Sequence, residues 1–160
     1  MTYMDHVPAQ RRAASYLQNV MKEFPKGRFL VAGHSKGGNL ATYACSYLPD
    51  QLSEQVHAIY CYDAPGLNKS IIKTEGYQRI AHLIHRFVPQ GSIVGMMLEV
   101  PEPTTIVKSR AFGGFAQHDA FTWMTEKDKF VTLDQTSPDS QQTDETLKQW
   151  VREVPDSQLK

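Results

Sequence analysis

The sequence predicts an α/β fold built on a mostly parallel sheet flanked by helices. Three observations carry that reading. Stretches with helical apolar spacing alternate with short apolar runs of strand length. One run, Phe29-Leu30-Val31-Ala32, leads straight into a glycine-rich turn and then a second helical stretch. The turn signals, Pro25-Lys26-Gly27, Pro49-Asp50 and Asp63-Ala64-Pro65-Gly66, fall between these pieces rather than inside them.

Pro8 opens a helix that runs to about Glu23, with Ala13, Leu17, Val20, Met21 and Phe24 on one face. Residues 29–32 form a buried strand. A second helix covers about Gly38 to Leu48, its apolar face carrying Leu40, Ala44, Tyr47 and Leu48. A second strand spans Val56 to Tyr62. Tyr77 to about His85 is helical and passes into an extended Ile84–Val88 segment. Ile93 to Val100 is apolar and fits strand or helix equally, with Met96 and Met97 read as core. Thr104 to Lys108 is a strand, Arg110 to His118 a loop, and Phe130 to Leu133 a short strand. Ser137 to Thr143 is polar and expected to be mobile. Glu145 to Val154 reads as a terminal helix. The chain thus divides into a main domain over 1–135 and a polar linker with a C-terminal helix over 136–160.

Composition narrows the function classes. The 160 residues carry 17 Lys+Arg and 17 Asp+Glu, a net charge of zero. That balance argues against nucleic-acid binding through a basic surface and against an electrostatic membrane anchor. No apolar run reaches the roughly 18 residues of a membrane span, and the N-terminus lacks the apolar core of a signal peptide. The two cysteines, Cys45 and Cys61, are too few for a disulfide framework and read as buried, reduced thiols. A cytoplasmic protein without cofactor or metal is expected. His82 and His85 sit three apart on one helix face, but no further ligands lie at metal spacing.

The chemistry is concentrated in Gly33-His34-Ser35-Lys36-Gly37. Gly-x-Ser-x-Gly between a strand and a helix is the nucleophile-elbow pattern. A serine hydroxyl that must meet both a base and a substrate projects from a very tight turn. Gly33 and Gly37 leave room for the chain to close around it. The following helix aims its free N–H groups at the site, where negative charge develops. A chance match in a chain this long has a probability of about 5%, and the flanking strand and helix lower it.

An activated serine needs a base, and the base needs a carboxylate. In this architecture the order is Ser, acid, His. His57 falls too early, and His82 and His85 read as surface histidines. His118, late and in a loop, is the expected base. Asp63 ends the strand after the elbow helix, where catalytic groups collect in such sheets, and is the expected acid. Asp119 is the rival, but adjacent loop residues point apart. The backbone N–H of Lys36 is the expected oxyanion donor. The second donor normally comes from a loop well before the nucleophile, and only one helix and one strand precede Ser35 here.

Gly33-His34-Ser35-Lys36-Gly37-Gly38-Asn39-Leu40-Ala41 resembles the signature of a poorly characterised bacterial family of lipase-like α/β-hydrolases, related to the class 3 lipases. Asp63-Ala64-Pro65-Gly66, Val88-Pro89-Gln90-Gly91-Ser92-Ile93-Val94-Gly95, Val107-Lys108-Ser109 and Gln117-His118-Asp119 with Trp123 agree with it, over about Pro8 to Phe130. The resemblance implies a partial α/β-hydrolase fold with the N-terminal strands missing, this chain matching the family's C-terminal portion. It implies a carboxylic-ester or lipid substrate, Ser35 as nucleophile and His118 as base. Class 3 lipases carry their acid after the strand corresponding to Leu83–Val88, where this chain has Gln90-Gly91-Ser92. Pancreatic-type lipases carry it one strand earlier, which matches Asp63. Without earlier neighbours the elbow strand becomes a sheet edge, so self-association or an N-terminal companion segment is expected. The expected function is a weakened serine esterase. The alternatives are an inactive remnant that binds a ligand or partner, and an acyltransferase.

Overall fold

The computed structural model describes residues 7–98, 100–138, 140–142 and 145–146. The first helix, α1, runs Pro8–Glu23, with proline in its opening turn where no intrahelical N–H is lost. Strand β1 (Phe29–His34) extends the predicted strand by two residues into the glycine turn. Helix α2 (Lys36–Ser46) starts two residues earlier than its periodicity suggested, directly on Ser35. After the short α3 (Asp50–Ser53) comes β2 (Val56–Tyr62), as predicted. Helices α4 (Lys69–Ile72) and α5 (Glu75–Ile80) follow, then a 3-10 turn at Ala81–Leu83 and β3 (Ile84–Pro89). His82 lies in that turn and His85 in the strand, so the two share no helix face.

The described residues of 93–100 are in neither a strand nor an α-helix: they hold one 3-10 turn, Val94–Met96. Strand β4 is Thr104–Val107 and the loop beyond it contains a one-turn helix, α6 (Gly114–Gln117). The hairpin β5 (Thr125–Glu126) and β6 (Lys129–Phe130) precedes β7 (Thr132–Leu133). The polar stretch after it is anchored rather than loose: Ser140 is buried and its hydroxyl donates to Ser92 O at 2.7 Å. Of the terminal helix expected over 145–154, only 145 and 146 lie within the described residues.

The central sheet has the order β1-β2-β3-β4-β7, with β1 to β4 parallel and β7 antiparallel. Strands that advance in one direction put every right-handed crossover on the same face. Helix α2 accordingly packs on β1 and β2, with α1 and α5 against α2. This makes α2 central. Gly38, Ala41 and residues 42–46 are all buried, so the helix is enclosed on most sides rather than on the single stripe its periodicity suggested. Met21, Ile59, Ile71, Ile80 and Cys45 form the heart of the core.

The opposite face is only partly covered. Leu30, Ala32 and His34 of β1 point out to solvent. Beside them runs an aromatic row: Tyr60 stacks on His85, and Tyr62 on Phe87. Trp123 and Phe130 close over its far end. Strand β1 pairs only with β2 among the described residues, and is the edge strand the sequence led us to expect.

Candidate active site

Ser35 sits at the junction of β1 and α2 with φ 55° and ψ −130°. A non-glycine residue in that region is strained, and such strain is typical of functional turns. Its N–H donates to Tyr62 O at 2.9 Å, which clamps the turn to the end of β2. A Cβ on Gly33 would strike the carbonyl group of Gly37. A Cβ on Gly38 would lie 2.5 Å from Ala64 Cβ and 2.9 Å from Gly33 O. A Cβ on Gly37 would meet nothing within 4 Å. The room expected of Gly33 and Gly37 is therefore required at Gly33 and Gly38; Gly37 is a spectator. Asn39 secures the turn from behind: it accepts a bond from Gln10 Nε2 at 3.0 Å and donates to Gly66 O at 2.5 Å.

Asp63 and His118, 55 residues apart, meet at 2.6 Å between Asp63 Oδ2 and His118 Nδ1. Asp63 is completely buried, while the His118 side chain is one-quarter exposed. An ionised carboxylate only accepts, so Nδ1 is the donor in this pair and Nε2 is the nitrogen left outside it. The other oxygen, Asp63 Oδ1, accepts from Ser92 Oγ at 2.5 Å and from Gly95 N–H at 3.0 Å. Three donors thus converge on one buried carboxylate, which satisfies a charge that burial alone would penalise. Asp63 itself has φ 42° and its N–H donates to Phe87 O at 2.7 Å. It does not cap its own turn.

Arg86 braces this cradle. Its Nη2 donates to Ala64 O at 2.6 Å and to Gly95 O at 3.1 Å, so it holds the segments on both sides of Asp63. Burial pulls its pKa below the usual guanidinium value. The His118 loop is fixed from three directions. Gln117, buried, accepts from Gly91 N–H at 2.8 Å and donates to Ala111 O at 3.0 Å. Trp123 Nε1 donates to Gln117 O at 2.8 Å. His34 Nε2 bonds His118 O at 2.7 Å, and the two rings face each other with centroids 4.5 Å apart.

That last contact joins the His118 loop to the elbow, because His34 immediately precedes Ser35. Ser35 Oγ caps no helical N–H and has no hydrogen-bond partner among the described residues. Ser35 is half-buried, next in sequence to the His34 that contacts His118. Catalytic hydrogen bonds are often open in unliganded sites and tighten on substrate. Lys36 is the first residue of α2, where N–H groups have no intrahelical acceptor. Asp119, the rival acid, accepts from Phe121 N–H at 3.0 Å and caps the next turn. His57 lies against Arg28 at the start of β2, the end away from Asp63. The cysteines are free and buried, and burial raises Cys45 to about 12 and Cys61 above its usual value, so both stay thiols. No group of three or more metal-ligating side chains occurs among the described residues.

Of the three residues the sequence singled out, Asp63 and His118 are brought together, while Ser35 Oγ bonds to neither; the contacts of His34, Ser92, Gly95, Arg86 and Gln117 were not anticipated. The signal for Ser92 was visible: it stands where an acid was sought and none was found.

A family model, Mbeg1-like, matches residues 1–160, the whole chain. No curated protein matches. No lipase or α/β-hydrolase family model matches either, which corrects the expectation that this chain is the C-terminal portion of a lipase-like family. The elbow and its flanks are local geometry, and local geometry recurs without common family.

Proposed function

The chain belongs to the Mbeg1-like family, and we propose that it is a serine hydrolase that cleaves a carboxylic ester through an acyl-serine intermediate. One observation carries the reading: a buried, fully donated carboxylate holds the Nδ1 of an imidazole whose loop is bonded to the residue before a strained serine. Ser35 Oγ attacks the acyl carbonyl carbon as His118 Nε2 takes its proton. The Lys36 N–H receives the developing oxyanion. The C–O bond to the alcohol breaks as His118 returns the proton to the leaving oxygen. Water, deprotonated in the same way, releases the acid. Asp63 orients the imidazole and stabilises its charged form. On this reading the parallel sheet is part of an α/β-hydrolase arrangement. Two reduced thiols and the absence, among the described residues, of any helix long and apolar enough to cross a membrane support action in the cytoplasm.

Labelling with a fluorophosphonate tests it. The protein is expected to label at Ser35, and Ser35→Ala or His118→Ala to lose activity by about 10⁶ in kcat with the fold intact. A folded protein that takes up no Ser35-dependent label between pH 6 and 9 overturns the proposal. A second reading, a non-catalytic ligand-binding module, would then stand. It draws on one observation: the elbow strand lies at the sheet edge, with the Lys36 N–H as its one identified oxyanion donor.

A further inference from the structure

Residues 110–122 leave the sheet and return to it with their ends tied. Arg110 N–H donates to Thr122 O at 3.0 Å, and Ser109 bridges Trp123 in antiparallel fashion. Inside, Gln117 is buried and doubly bonded. A loop held this firmly could tuck its apolar side chains inward, yet it does the reverse. Phe112 is 95%, Phe115 80% and Phe121 89% exposed. From Ala111 to Gln117 the sequence Ala-Phe-Gly-Gly-Phe-Ala-Gln carries no charge. Three phenylalanines left exposed on one short loop mark it as a contact surface. The loop also carries His118. Across the site, the segment whose Gly95 N–H holds Asp63 ends in Met97 and Leu98, 46% and 61% exposed.

We propose that this aromatic rim docks on a lipid surface, with the phenylalanine rings at the boundary of headgroup and acyl chain. Ala111 to Ala116 offers no side-chain hydrogen-bonding group with which to fix the register of a protein partner. What it offers is bulk and apolarity, flanked by the exposed cations Lys108 and Arg110. Arg110 Nη2 donates to Phe121 O at 3.1 Å, which ties the guanidinium to the backbone of the loop. Rings at acyl depth with cations at phosphate depth is the arrangement of interfacial segments. The docking deepens the hydrolase reading, since it makes the substrate an ester presented in a lipid aggregate, and that extension rests on the reading. The contact itself does not.

The test uses the full chain as Ser35→Ala, which separates binding from turnover. Cosedimentation with vesicles of phosphatidylcholine and phosphatidylglycerol in equal parts is expected to pull the protein down. Replacing Phe112, Phe115 and Phe121 together by Ser is expected to lower partitioning about tenfold or more. Arg110→Gln is expected to weaken it only where phosphatidylglycerol is present. Phe112→Trp, a single change at an open position, is expected to show indole fluorescence quenched by bromine-labelled acyl chains. A folded protein that ignores vesicles, a triple variant that binds as before, or an unquenched Trp overturns the docking. So does self-association that the triple variant abolishes, because the rim would then meet a second copy. Vesicle binding without Ser35 labelling in the unsubstituted protein sinks the hydrolase reading alone.

Discussion

The strain at Ser35 is maintained by its neighbours, and the glycines around it differ in what they contribute. Gly33 faces backbone, which cannot swing aside as a side chain can. Gly33→Ala is therefore expected to destabilise at the upper end of the overpacking range, about 3 kcal/mol. Gly37 faces open space in the first turn of α2. Gly37→Ala is expected to be neutral or to stabilise by up to about 1 kcal/mol, since alanine loses less backbone freedom in a helix. Urea midpoints of the two variants check this directly; equal losses would mean that the turn tolerates neither. The motif was legible because it is contiguous. Its division of labour was not, because which glycine meets which atom depends on β2 and the turn after it, where Cys61 and Ala64 press on Gly38. His34 was illegible for the same reason: it acts on a residue 84 positions away, and only the folded chain brings the two into reach.

Strands and long helices were legible wherever apolar spacing ran for more than a turn. Periodicity placed β2 and α1, and failed where elements are a single turn, as in residues 81–83, 94–96 and 114–117. Two of those short pieces are held by side chains: Asp63 and Ser92 take the Gly95 N–H, and Gln117 anchors residues 114–117. Gln117 shows how. One amide satisfies Gly91 N–H, a buried donor at the end of β3, and Ala111 O, inside the His118 loop. Removing it in Gln117→Ala leaves the glycine N–H unpaired, a loss of about 1–3 kcal/mol. It also frees the residue next to His118, and misplacing a catalytic group by an ångström costs on the order of 10² in rate. A lower melting temperature together with a fluorophosphonate labelling rate reduced roughly 10–100-fold is the expected outcome. If stability falls while the labelling rate holds, the loop is positioned by Trp123 and His34 without it.

A parallel sheet is normally covered on both faces, and among the described residues one face carries all three packing helices while the other is open along β1. Leu30 is 67% exposed at the very edge, beside Ala32 and the Tyr60 ring. An edge strand of six residues offers a row of backbone donors and acceptors, and proteins that stay monomeric blunt such edges with charge, proline or a bulge. Within 29–34 there is no charged residue among Phe29, Leu30, Val31, Ala32 and Gly33, and no proline; the one register irregularity falls at Phe29/Leu30, on the side facing β2. The expected consequence is reversible association through β1. Sedimentation velocity across a hundredfold concentration range is expected to show species heavier than the monomer at the upper end. Leu30→Lys puts a charge on the open face at the edge without touching the core, and is expected to return the protein to monomer while leaving Ser35 labelling unchanged. Association that survives Leu30→Lys but vanishes on replacing the three rim phenylalanines assigns the contact to residues 110–122 instead. A wild-type protein that remains a monomer throughout shows that β1, open as it is, pairs with nothing.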